Sequence, residues 1–235
     1  MAPDARNKDA RNKLLEAALQ VIRTKGYAST RVEDICAAAG LSKGAFFHHF
    51  ASKEELAIIA AEYFETMAES LFSAAPFQQE TDPAKRFLGY IDFRREIIAG
   101  ELPDFTCLLG TMVQETYETS PAIVQACDTQ MSAHIATLVP DVAAAKAGRA
   151  PDAAWDPESL ALFTQAVLQG AFILAKAKRN PAVARECVNH LRRYVESELH
   201  LGSDKTGAAQ RIVDDAANNR GTARSARNRG KSAAS

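Results

Sequence analysis

Strand-forming and membrane-spanning material is scarce in this 235-residue sequence. Aromatic residues make up 7% of it, with a single Trp, and its apolar content is carried by Ala and Leu more than by β-branched residues. That balance argues against one large all-β unit and for helices. No apolar stretch approaches the roughly eighteen uncharged residues of a membrane span, and Asp4 and Asp9 fall where a signal peptide would carry its apolar segment. The expectation is a soluble, cytoplasmic protein with no membrane partner. Cysteine is sparse too: Cys36, Cys107, Cys127 and Cys187 lie 71, 20 and 60 positions apart, a spacing that fits neither a disulfide framework nor paired zinc ligands.

Catalytic signatures are also missing. The sequence has no G-x-S-x-G, no Gly-rich phosphate loop and no H-E-x-x-H, so it offers no catalytic residue, cofactor or metal site. Cys187 and His190 stand three apart on one expected helix, but two groups do not complete a metal site.

Charge is present but unevenly placed. Residues 1–50 carry +3, residues 51–202 carry −8 and residues 203–235 carry +4, which together give the net −1. A basic head on an acidic body points to a polyanionic partner for the head alone. The last segment, rich in Ala, Asn, Arg, Ser and Gly, lacks the bulky apolar residues that offset ordering entropy. It reads as a disordered basic tail, either simply solvated or in loose contact with nucleic acid.

Helical periodicity starts with Leu14, Leu15, Ala18, Leu19 and Ile22 and stops at Gly26. Thr30 with Glu33 forms a T-x-x-E box opening a second helix that Gly40 ends; Ser42 caps a short third one; Ser52 with Glu55 opens a fourth that runs to about Phe72. Two prolines in 74–83 mark a joint. Helices are then expected at 84–99, 104–118, 121–139, 158–179 and 181–200, with Pro140, Gly148, Pro151 and Pro157 forming a long connection at 140–157. The fold class is all-α, with about nine helices.

The unit "TRVEDICAAAGLSKGAFFHHF" has the form of a helix-turn-helix. In it Ala45, Phe46 and Phe50 pack inward while Lys43, Gly44, Phe47, His48 and His49 face outward, toward a major groove. Gly44 allows close backbone approach, and Ser42 and Lys43 bring a hydroxyl, N–H groups and positive charge to the helix start. The His pair has a second reading, as a solvated helix end.

With "LLEAALQVIRTKGY" preceding "STRVEDICAAAGLSKGAFFHHFASKEEL", residues 12–56 resemble the N-terminal domain of TetR/AcrR-type transcriptional regulators. The resemblance implies an all-α homodimer on a double-stranded operator, with a body that binds a small effector of unknown identity. It places DNA contacts at Thr30, Ser42, Lys43, Gly44, Phe47, His48 and His49, and a phosphate contact at Lys53. Where the family commonly has Tyr, this chain has Phe47, which loses a hydroxyl and offers an apolar ring to a thymine methyl. The implied organisation is a DNA-binding domain at 1–51, a connecting helix and linker at 52–83, an effector-binding and dimerisation domain at 84–202, and the tail at 203–235.

For the effector, the aromatic and thioether side chains that suit an adaptable apolar cavity, with their neighbours, give the candidates Phe87, Tyr90, Ile91, Arg94, Cys107, Met112, Tyr117, Met131, Phe163 and Phe172, although a stripe of large residues at helical spacing is more often plain core. For the dimer, the last two helices carry small residues (Ala161, Ala166, Gly170, Ala171, Ala175) and apolar ones (Leu162, Val167, Leu174, Val188, Leu191, Val195), which would also suit a monomer's interior. "CLLGTMVQE" resembles a segment of one family branch in which the Cys senses electrophiles or oxidants, with Thr106 here in place of the usual Gly. Cys107 therefore has two readings, a helix-start thiolate sensor and a small buried hydrophobe.

Overall fold

The computed structural model describes residues 3–201, with side chains from Asn7 onward. The tail expected at 203–235 lies outside the described residues. Ten α-helices and no strand occur among them: α1 (Pro3–Lys25), α2 (Val32–Ala39), α3 (Lys43–His49), α4 (Lys53–Ser73), α5 (Pro83–Glu96), α6 (Leu102–Phe105), α7 (Leu108–Thr116), α8 (Pro121–Arg149), α9 (Pro157–Lys178) and α10 (Pro181–Glu198), with a 3-10 turn at Pro76–Gln79.

Local chemistry explains most of the starts. Ser42 Oγ accepts the Ala45 N–H at 3.1 Å, Ser52 Oγ accepts the Glu55 N–H at 3.0 Å, and Asp82, Asp156 and Asn180 cap α5, α9 and α10 in the same manner. Between α2 and α3, Gly40 takes φ +65° and its N–H and that of Leu41 bond back to Ala37 O and Cys36 O, a left-handed stop that a side chain would strain.

Three expectations need correction. The box expected at Thr30 and Glu33 is shifted by one residue: the Arg31 N–H donates to Asp34 Oδ2 at 2.7 Å and α2 begins at Val32. Thr30 itself is buried, its hydroxyl donating to Gly26 O at 2.6 Å. The helix expected at 104–118 is two helices, since α6 stops at Thr106 and Cys107 starts α7 by accepting the Gly110 N–H on its sulfur at 3.4 Å. The helix expected to stop before Pro140 runs on to Arg149. Proline inside a helix costs about 3 kcal/mol. Burying Leu138 and Val142 either side of it returns roughly 1.5–3 kcal/mol each, so packing outweighs the local break.

Two apolar cores result. One joins Leu14, Leu15 and Ile22 of α1, Ile35 of α2, Phe46 of α3 and Leu56 of α4 to Leu108, Leu109 and Met112 of α7 and Ile123 of α8. The other gathers Phe72 at the end of α4, Phe87, Tyr90 and Ile91 of α5, Val142 of α8, Leu168 and Phe172 of α9, and Val188, Leu191 and Val195 of α10. Both α4 and α8 contribute to each core, and the head joins the body through α1, which packs on α6 and α7, and α4, which packs on α7 and α8.

α9 is long and apolar enough to cross a bilayer by composition, with 44% of that window buried. It packs against α8 and α10, and its unburied apolar residues lie on one outward face, treated below.

Candidate DNA interface and effector cavity

Phe46 of α3 and Phe50, which caps its C-terminal end, are fully buried with their ring centres 5.6 Å apart, which fixes the helix rotation. Ser42, Lys43, Gly44, Phe47 and His48 consequently stand on the exposed side, Phe47 with 54% of its surface free. Lys43 is not idle there: its Nζ meets Glu33 Oε1 at 2.6 Å, an exposed pair that water screens and that an incoming phosphate can replace. His49 is half-buried at the helix end, and burial, then His48 and Arg11, hold its pKa below the usual histidine value.

The remaining two candidates lie elsewhere. Thr30 faces the interior, as above. Lys53 Nζ donates to Thr30 O at 2.9 Å and Tyr27 O at 3.1 Å and sits 4.2 Å from the centre of the Tyr27 ring. Burial lowers its pKa, and its ammonium serves the α1–α2 turn. Sequence reasoning passed over Arg31, exposed beside Thr30 at the α2 start; a cation flanking a helix-turn-helix was the available signal.

At the other end of α1 and α4 lies a cavity of about 260 Å³ walled by α1, α4, α5, α6, α7, α8 and α9. Of the ten candidates named for the effector, Arg94, Cys107, Met131 and Phe172 line it. Tyr90 stands one layer behind: its hydroxyl lies 3.0 Å from His134 Nε2 and accepts from Gln165 Nε2 at 2.7 Å, and both partners line the cavity. On its other side the His134 ring places Nδ1 3.5 Å from Glu65 Oε1.

The other ligand candidates are misplaced. Phe87 and Ile91 are body core and Met112 is head core, because each points into its helix packing rather than into the gap. Tyr117 caps the end of α7 with 65% of its surface exposed, and Phe163 lies on the outer face of α9 against Tyr194. Arg23, Phe64, Glu65, Phe105, His134 and Gln165 line the cavity and were missed. Glu65 and His134 carried a signal, a polar residue on a helix side otherwise apolar.

Cys107 spends its sulfur as the α7 cap in the cavity wall, a structural task, and the thiol-sensor reading gains no support. Cys187 is half-buried against the body core, whereas His190 is exposed with Glu186 and Arg193 beside it, so the pair does not converge. Among the described residues no group of three or more His, Cys, Asp or Glu side chains could hold a metal ion.

Fold and site together define a helix-turn-helix DNA-binding protein with a helical body that encloses a cavity. Residues 14–58 match the family described as bacterial regulatory proteins, tetR family, and residues 83–190 match the transcriptional regulator LmrA/YxaF-like C-terminal domain. The chain belongs to the TetR family of transcriptional regulators. Among its curated relatives, the HTH-type transcriptional regulator CymR of Pseudomonas putida is 34% identical over 126 residues, covering 50% of this chain and 62% of CymR. The HTH-type transcriptional repressor DhaR of Mycobacterium sp. (strain GP1) is 31% identical over 106 residues, covering 45% and 51%. The matched segments thus span less than two thirds of these relatives. Solved structures with the same fold include a TetR-family regulator from Agrobacterium tumefaciens, with TM-score 0.70 at 19% identity over 80% of this chain and 98% of that one. Another is the regulatory protein TetR from Rhodobacter sphaeroides, with TM-score 0.70 at 24% identity over 78% and 97%.

Proposed function

We propose that the chain acts as a homodimeric repressor that holds a palindromic operator through Ser42, Lys43, Gly44, Phe47 and His48 of each protomer and lets go when a small molecule fills the cavity. The observation that carries this reading is the division of α3. One side is locked into the core by Phe46 and Phe50, and the other is left to solvent with a cation and a helix start at its tip. Backbone N–H groups at the start of α3 and the Lys43 ammonium meet phosphates, and the Phe47 ring meets a thymine methyl.

Release follows if the ligand favours a different spacing of the two heads, and coupling of about 1–3 kcal/mol changes affinity by about 5- to 150-fold. The cavity is well placed for this, since α1 and α4 line it while belonging to the head core. Two α3 helices on adjacent major grooves double the phosphate contacts, which makes the dimer the binding unit.

Fluorescence polarisation with the DNA upstream of the chain's own gene tests the reading. Binding should be sequence-selective and should weaken linearly with salt on a double-logarithmic plot. Binding that is indifferent to sequence, or absent at low salt, overturns it.

A further inference from the structure

The cavity's charged groups are unevenly partnered. Glu65 faces His134, Asp104 Oδ2 accepts the Glu101 N–H at 2.8 Å, and Arg23 gives Nε to Leu19 O at 3.0 Å and Nη1 to the main-chain oxygens of Asp104 and Thr106. Arg94 differs. Its guanidinium carbon sits 5.3 Å from the Phe72 ring centre and 5.8 Å from that of Phe172, its Nε is shut off from solvent, and no acceptor or carboxylate meets it among the described residues. Thr106, 1% exposed and also in the cavity wall, has a buried hydroxyl without a partner. Arg94 is half-buried, so its charge keeps some contact with water, but its Nε and the Thr106 hydroxyl are both shut off without a partner beside an apolar space, and a buried polar group without a hydrogen bond is costly.

We propose that the cavity takes a small molecule with an apolar body and one carboxylate, which Arg94 grips and Thr106 completes; this rests on the reading of the cavity as the effector site. The ring contacts hold the guanidinium plane, whose parallel N–H groups match a carboxylate's two oxygens. A hydroxyl donor adds a third bond, and Phe172, Met131 and Ile135 receive the apolar part. A neutral amide accepts at one oxygen only and leaves the arginine charge unbalanced, so the site discriminates between an acid and its own amide.

Calorimetric titration of the full chain with octanoate and hydrocinnamate, each beside its primary amide, reads this directly. The acids should bind more tightly than the amides by about ten- to hundredfold. Arg94→Gln should bring the acids down to the level of the amides, Arg94→Lys should retain part of the preference, and Thr106→Val should weaken the acids alone; the two milder changes decide the matter if Arg94→Gln fails to fold. Amides that bind as well as the acids overturn the carboxylate assignment and leave the cavity as an effector site. Failure of all four compounds to bind overturns both.

Discussion

Arg23, in the last turn of α1, donates from Nη1 to the main-chain oxygen of Asp104 at 3.3 Å, tying the head to the α6–α7 corner where Thr106 and Cys107 form the cavity wall. Its guanidinium also lies 5.8 Å from the Phe64 ring centre of α4. A ligand that moves the corner therefore pulls on α1 and, through their shared core, on α3. Arg23→Gln is expected to keep operator affinity without ligand but to reduce ligand-driven release by about fivefold or more. Polarisation titrations with and without octanoate measure this, and octanoate affinity for DNA-free protein separates lost coupling from lost binding. Unchanged release in a variant that still binds octanoate would remove Arg23 from the route.

Lys43 and Lys53 separate DNA affinity from stability. Lys43 is exposed and paired only with Glu33, so Lys43→Ala should leave the melting temperature unchanged while weakening operator binding and reducing the salt slope by about one. Lys53→Met removes two bonds to buried-turn carbonyls and should lower stability by about 1–3 kcal/mol in denaturant unfolding. A Lys53 variant of full stability with a reduced salt slope would instead return Lys53 to the phosphate contacts.

Thiol chemistry divides the four cysteines. Burial pushes the Cys127 thiol up to about 12 and raises that of Cys36 as well, and both are closed off from solvent in the head core. Cys107 and Cys187 are half-buried. Iodoacetamide at pH 8 should alkylate Cys107 and Cys187 in the folded protein well before the other two, which react only on unfolding. Peptide mass spectrometry over time would show the order, and early modification of Cys127 would contradict the packing of α7 on α8.

What was legible in the sequence was local. Ser42, Ser52 and Gly40 act within three or four residues of themselves, so their capping and turn roles could be read without any tertiary knowledge. Thr30 and Glu33 fit the same template, yet Lys25 claims Asp34 at 2.5 Å and Lys43 claims Glu33, long-range choices that move the box by one residue. Pro140 misled for a similar reason, its penalty being local and its compensation tertiary. In the cavity, Arg94, Cys107, Met131 and Phe172 were foreseen from residue type, but Phe87, Ile91 and Met112 have the same character and point elsewhere. Helix rotation decides that, and it is set by partners distant in sequence.

The outer face of α9 yields the last prediction. Val188, Leu191 and Val195 of α10 and Ala161, Ala171 and Ala175 of α9 are all spent inside the protomer, which rules them out as dimer contacts. Leu162, Phe163, Ile173, Leu174 and Tyr194 remain, each with 43–57% of its surface exposed, and Phe163 stacks edge-on against Tyr194 at 5.2 Å. Contiguous apolar surface of this kind marks an interface, and a stable one needs about 800 Å² per partner. Leu174→Glu should turn the proposed dimer into a monomer in sedimentation equilibrium and weaken operator binding, while helix content by circular dichroism stays unchanged because 47% of the residue's surface is already open to water in the protomer. A Leu174→Glu chain that still sediments as a dimer would place the contact on another face.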